Sequence, residues 1–448
     1  MGYKDLLRFL PEVKSPTQKH LSFKQKLIWT GIVLLIFFVL GAVPLFGLDS
    51  APLQNFKFLS VVLGASFGSI ISLGIGPIVT ASIVLQLLAG SGLIGIDTST
   101  AEGKSLFQGT QKILTYFFIL LEGIIYVKLG GLQPISGYAG AVILQLFIGG
   151  LIIVFLDDLL NKWGFGSGVS LFIAAGVSQQ IFIQALSPLH PIEVTGIVNQ
   201  EAYAGAIPKL FQALSQGQAA TAGLELSMIV ATLLIFAVVV FAQAMKVEIP
   251  LSFGRIRGHG VRWPLNFVYT NVLPVILVSA LVANLRLFSS LGGGGSWISR
   301  NLIPFITNTN LLQHVMNHNA SGLLIIQSFT YMLFFMAASV LFSWFWMQTS
   351  GLDPKSQAKQ MMASGLQIPG FRKDQRVLER LLKKYIYPLT VMGGLFIGFL
   401  ASIADMTGAF GSGTGLLLTV MIIYKLYEDI AKQHMEDMNP MLRKMMGK

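Results

Sequence analysis

The sequence predicts an all-α polytopic membrane protein, with ten transmembrane helices in two inverted halves of five and one short re-entrant segment. Three observations carry that prediction. The 448 residues are 53% hydrophobic and only 11% charged, with a mean hydropathy of +0.69, where a soluble domain carries about a quarter charged residues. Apolar runs long enough to cross a ~30 Å hydrocarbon core recur ten times. Finally, 26 of the 31 lysines and arginines fall on one side of the resulting topology. Lys57, Lys128, Lys209, Arg286 and Arg300 alone fall on the other. Because basic loops stay inside, this places both termini in the cytoplasm of a multi-pass protein of the cell membrane.

Residues 1–24 form a basic leader in which Leu6, Leu7, Phe9 and Leu10 suit a short surface helix ahead of Pro11 and Pro16. It does not read as a signal peptide, since about 25 polar-rich residues precede the first apolar run. The N-terminal half, 25–187, holds spans near 25–46, 68–90, 111–130, 138–157 and 167–187. A polar external linker, 188–223, leads to the C-terminal half, 224–431, with spans near 224–245, 265–288, 321–348, 384–403 and 412–431. Residues 432–448 form a cytoplasmic tail. Five spans per half is an odd number, so the second half enters the membrane upside down. Inverted repeats place a working site at their interface near mid-membrane.

The second span is broken. Gly74, Gly76 and Pro77 interrupt GSIISLGIGPIVTASIVLQLL, and upstream lies Phe56–Phe67, too short at twelve residues to cross. Proline and glycine both oppose a helix interior. Irregular backbone at that depth is tolerated only when buried in protein or lining a watery cavity, so a cavity is expected beside this segment. A spanning helix with a proline kink is the plainer alternative.

Chemistry is sparse. Cysteine is absent, which removes disulfides and thiolate metal sites. His314 and His318 are four apart but lack a neighbouring carboxylate, and Asp157 and Asp158 suit solvated acids at a helix end. No hydrolase, kinase, P-loop or zinc-protease pattern occurs, so neither enzymatic activity nor a cofactor is expected. Charges within spans mark coupled transporters. Here they are few: Glu122, Glu225 at the edge of the sixth span, Arg286, and Asp405 in the last outer turn. Two cytoplasmic loops, 246–264 and 351–384, are long at 19 and 34 residues and rich in Lys and Arg. The GGGGS tract at 292–296 reads as a flexible link.

From Ser69, SIISLGIGPIVTASI resembles the signature of the SecY family, the pore subunit of the protein-conducting channel. Both basic loops, with LTVMGGLFIGFLASIAD and TGLLLTVMIIYKLYE, resemble its archaeal and eukaryotic branch. The likeness runs from about Leu21 to Glu428 and leaves the outer loops 188–223 and 289–320 unmatched. It implies a plug formed by about 52–67, and an aliphatic pore ring of Ile75, Val79, Val169, Ile173, Ile276 and Leu418. By spacing alone these six suit ordinary packing equally well. It further implies a lateral gate with a polar cluster at Thr80, Glu122 and Asn284, and ribosome contacts through Arg255, Arg257, Arg372, Lys373 and Lys355. The implied partners are small membrane subunits of the SecE and SecG/β type, the ribosome and its RNA, signal sequences, nascent polypeptides and membrane lipid. A secondary transporter of a small solute, which shares inverted repeats and broken helices, is the alternative reading.

Overall fold

The computed structural model describes residues 11–17, 21–48, 68–90, 93–94, 100–128, 132–188, 203, 205–253, 260–270, 273–291, 301–308, 310–317, 319, 321–363, 366–367 and 374–438. The expected plug, residues 1–10 of the leader and the GGGGS tract lie outside them.

Each of the ten expected spans coincides with a helix. The first half comprises α1 (Phe23–Ala42), α2 (Gly76–Gly90), α3 (Ala101–Lys128), α4 (Ala139–Trp163) and α5 (Gly168–Leu186). A short helix, α6 (Ala206–Ser215), leads into α7 (Ala219–Ala244). A hairpin of β1 (Lys246–Phe253) and β2 (Gly260–Asn266) follows, and then α8 (Leu273–Leu291). Two short helices, α9 (Ile303–Ile306) and α10 (Leu311–Met316), precede α11 (Gly322–Thr349). The chain closes with α12 (Pro354–Ala363), β3 (Leu366–Gln367), α13 (Gln375–Met406) and α14 (Gly413–Met438). Among the described residues, seven helices are long and apolar enough to cross a membrane, and α2 and α8 are shorter apolar helices. In α14 the membrane-compatible stretch is the first half, where Leu416, Leu417, Leu418, Val420 and Met421 are buried.

Helix α1 starts on a capping box: Ser22 Oγ accepts from the Gln25 N–H while Gln25 Oε1 accepts from the Ser22 N–H. This satisfies two of the donors that a helix start leaves bare. Where α1 ends, the chain is stitched to the start of the second span. The Leu45 N–H donates to Gly68 O at 2.8 Å, and the Ile70 N–H to Val43 O at 3.0 Å. Residues 43–45 and 68–70 are thereby held side by side.

The Gly/Pro break resolves differently from a kink. Residues 68–75 are successive turns, with Gly68 and Gly74 at φ of +86° and +52°, a region open to glycine at little cost. Helix α2 begins at Gly76, so Pro77 occupies its first turn, where the missing N–H costs nothing. The turns are enclosed by protein: Ile71, Leu73 and Ile75 are buried. Gly149 of α4 lies against them so closely that a Cβ would sit 1.9 Å from Ile70 O. Gly149→Ala is accordingly expected to cost roughly 1–3 kcal/mol by overpacking, read as a lowered unfolding midpoint in detergent. An unchanged midpoint would mean that α4 does not hold the turns.

The strands were not foreseen. β1 pairs antiparallel with both β2 and β3, giving the order β2-β1-β3. The sheet covers a small apolar cluster of Ile249, Leu265, Met347, Met361, Leu378 and Leu382. Helix α13 also starts earlier than the expected 384, at Gln375, which shortens the second basic loop. Its 32 residues span about 48 Å at 1.5 Å each, so its first turns stand clear of a bilayer and support the sheet. Helices α11 and α13 approach through small residues, Gly394 against Ser343 and Gly398 against Met336, as packed membrane helices do.

Helix ends assign two faces. The ends of α4, α11 and α14 meet the starts of α3, α5 and α8 on the face that carries the sheet. The ends of α5, α8 and α13 meet the starts of α7 and α14 on the far face. Helix α1 runs from the sheet face outward and α7 runs back towards it, so the halves are inverted.

Candidate functional site

A cavity of about 1000 Å³ opens between the helices on the sheet face, and one of about 460 Å³ on the far face. Val79, Val169 and Ile276 line the wider one. Ile75, Ile173 and Leu418 are enclosed in the same apolar cluster as those three, at 0%, 0% and 1% exposure. All six predicted ring residues therefore meet in one cluster, contributed by the turns before α2, by α2 and α5 from the first half, and by α8 and α14 from the second. The far cavity reaches α8 at Arg286 and α5 at Gln184, ten and fifteen residues beyond Ile276 and Val169. At 1.5 Å per residue those are separations of about 15 and 22 Å. This part of the apolar cluster lies between the two cavities.

The three predicted seam residues form one hydrogen-bond chain. Asn284 Nδ2 donates to Thr80 Oγ1 at 3.1 Å, and Thr80 Oγ1 donates to Glu122 Oε1 at 2.9 Å. Thr80 of α2 serves as both acceptor and donor, so the chain links α8 of the second half to α3 of the first. Glu122 is only 6% exposed. Towards the sheet face, Gln111 Nε2 donates to Ser82 Oγ at 2.6 Å, again between α2 and α3.

Of the basic loop residues, Lys355 is exposed on α12. Arg255, Arg257, Arg372 and Lys373 lie outside the described residues. Lys246 ties the base of the hairpin to Glu428 of α14, and Arg262 pairs with Glu248 across its two strands.

Other polar groups went unrecognised or were misjudged. Asp157 and Asp158 are not solvated helix-end acids. Asp157 accepts the Val169 N–H at 2.9 Å, capping the start of α5, and Asp158 pairs with Lys112 and Lys162. The same lysines bind Glu12, strapping the leader across the mouth of the wide cavity. Lys112 Nζ, donating to Glu12 at 2.7 Å, holds that carboxyl below the usual carboxylate range. On the far face, Asp405 accepts from Tyr331 Oη at 2.7 Å, from the Thr414 N–H at 2.8 Å and from the Thr414 hydroxyl. The sequence marked Asp405 as a charge within a span but gave no sign of Tyr331. His314 sits on α10 and His318 lies outside the described residues. No cluster of three or more potential metal ligands occurs among the described residues.

A SecY family profile matches residues 69–427, and a profile for the plug domain of Sec61p matches residues 35–68. The protein translocase subunit SecY of Methanothermobacter thermautotrophicus is 41% identical across 99% of this chain and 98% of its own length. That of Methanocaldococcus jannaschii is 38% identical across 99% of both. A solved structure described as that of a protein conducting channel superposes with a TM-score of 0.82 at 36% identity, over 98% of this chain and 99% of that one. Sec61 in the canine ribosome-channel complex from the endoplasmic reticulum superposes at 0.79, also at 36% identity and with the same coverage. This likeness over the whole chain, in a helical shell with a cavity on each face, defines a channel subunit for protein translocation, not an enzyme and not a solute transporter. The chain belongs to the SecY family.

Proposed function

We propose that unfolded polypeptides cross the membrane through the waist formed by Ile75, Val79, Val169, Ile173, Ile276 and Leu418, and that apolar segments leave sideways between α2–α3 and α8–α11. The observation that supports this reading most is the placement of part of an aliphatic cluster between two cavities, beside a hydrogen-bond chain joining the halves. Soft aliphatics accommodate an extended chain of any sequence without binding it, and a dry constriction resists ions. The Asn284–Thr80–Glu122 chain serves as the latch of the lateral opening. Residues 52–67 supply the plug.

The sheet face is cytoplasmic, with both termini, in the cell membrane, because the basic residues concentrate there. Lys355 of α12, with Arg255, Arg257, Arg372 and Lys373 of the two loops, docks the ribosome by meeting RNA phosphates. That assignment is supported by likeness to the Sec61 of the canine ribosome-channel complex. Small membrane subunits of the SecE and SecG/β type complete the assembly, and signal sequences and nascent chains are its substrates.

The test is site-specific crosslinking. Photo-reactive residues at Val79, Ile173 and Ile276 are presented with ribosomes carrying a stalled secretory chain. Adducts at all three positions, lost when the signal sequence is deleted, are expected. Their absence with the ribosome demonstrably bound would remove the ring from the path.

A further inference from the structure

Helix α6 lies outside everything the channel reading uses, and its amphipathic pattern is inside out. Ile207, Leu210, Phe211 and Leu214 follow the i, i+3, i+4, i+7 spacing of a single apolar face. A helix packed on a water-soluble surface turns such a face inward. Here Phe211 and Leu214 are 68% and 62% exposed, while Ile207 and Leu210 are half-buried and Ala206 and Ala213, on the flank beside Leu210, are buried against the protein. The only charge on α6, Lys209, points inward to an ion pair with buried Glu225 of α7 at 2.5 Å. Charge and apolar surface have exchanged the places that water would dictate.

The location supplies the reason. Helix α6 bridges the far-face ends of two spanning helices. The Gly205 N–H donates to Ser187 O at the end of α5, and Gly217, at φ +71°, turns the chain straight into α7. Helix α7, which follows directly, also exposes apolar residues, Leu226, Val230 and Leu233, on a helix long and apolar enough to span the bilayer. The inner side of α6, through Ala206 and Lys209, lines the far cavity.

We propose that α6 is an in-plane helix seated in the far leaflet, with Phe211 and Leu214 at the boundary between acyl chains and headgroups. There it walls the far vestibule off from lipid. The partner is the lipid surface itself, because α6 runs directly into a spanning helix whose own exposed side is apolar, and its exposed face carries no charge that a protein partner would read. An amphipathic helix of this kind buries its apolar face to about 5–10 Å, a depth that two side chains on a helix at the span boundary reach without moving the helix. The Lys209–Glu225 pair sets the rotation of α6, keeping the cation on the vestibule side rather than in the headgroups.

The chain has no cysteine, so single labelling sites need no background removal. Phe211→Cys and Leu214→Cys each carry a nitroxide, with Val230→Cys as the lipid reference and exposed Gln216→Cys as the water reference. The labelled protein is reconstituted in phosphatidylcholine and phosphatidylglycerol vesicles, and collision rates with oxygen and with a neutral nickel chelate are compared. Oxygen collisions in excess of nickel at 211 and 214, at a ratio between those of positions 216 and 230, are expected. Nickel collisions at the level of position 216 would place the face in water and overturn the proposal. Low rates for both reagents would mean that a second copy or another subunit covers the face, and would overturn it equally.

Discussion

A channel carrying both Val79→Asn and Ile276→Asn is expected to leak ions at rest, with conductance in planar bilayers raised roughly tenfold or more. The reasoning starts from position. Val79 and Ile276 are 4% and 3% exposed and come from opposite halves, yet both border the wide cavity, so an amide at either site can draw water from it. A dry waist resists an ion because nothing there replaces its hydration. Each new hydrogen-bonding group returns ~1 kcal/mol of that loss, and ~1.4 kcal/mol off a barrier is a tenfold rate. Two amides facing each other across the waist therefore suffice. The apolar pair Val79→Leu and Ile276→Leu keeps the waist dry and should leave the resting conductance unchanged, which separates wetting from loosened packing. If the double asparagine channel inserts normally and conducts no more than the parent, the constriction lies elsewhere.

How much of this was legible in the residues depends on which force acted. The helical spans are written plainly, because a hydrocarbon layer enforces length and apolarity. The break at Gly74, Gly76 and Pro77 was legible as a break, while its form was not. Proline is costly inside a helix and free at its first turn, so whether the helix bends or begins is decided by the burial of 68–75 against Gly149. Helix α13 was misplaced because Gln375–Tyr385 is rich in charge and reads as a loop by hydropathy. Leu378, Leu382, Ile386 and Leu389, spaced at three to four residues and all buried, carry the helical period that hydropathy averages away. The sheet was hidden by Pro250 and Pro264 within its strands. Pro250 pairs with Arg262 and Pro264 with Glu248, in a short ladder held by packing on α11–α13. Glu12 left no trace, since its partners stand 100 and 150 residues away. In the seam, Glu122 was visible as a lone acid in an apolar run. Thr80 and Asn284 were recognised only by family resemblance, and their bonding to Glu122 depends on how two inverted halves meet.

That bonding makes a prediction whose sign depends on how many members are removed. Thr80→Val alone leaves the Glu122 carboxyl without its donor and the Asn284 amide without its acceptor. Each stranded group costs roughly 1–3 kcal/mol while the seam is shut. Once the seam opens onto the wet pore both groups are hydrated, so the penalty falls on the closed state and opening becomes easier. The triple change Thr80→Val, Glu122→Leu and Asn284→Leu strands nothing. Replacing all partners by apolar groups of similar shape is near neutral or stabilising, so the closed seam holds as well as before or better. The readout is the number of leucines a test segment needs before it inserts into the membrane instead of crossing it. A leucine at mid-membrane is worth roughly 0.3–0.6 kcal/mol, so the single variant, with two groups stranded, should lower the threshold by roughly three leucines or more, and the triple variant should hold or raise it. Glu122→Gln keeps the acceptor for Thr80 and should stay near the parent. A triple variant that opens more easily than Thr80→Val would show that Asn284–Thr80–Glu122 contributes bulk rather than a latch, and the seam would then have to be sought in the apolar contacts between α2 and α8.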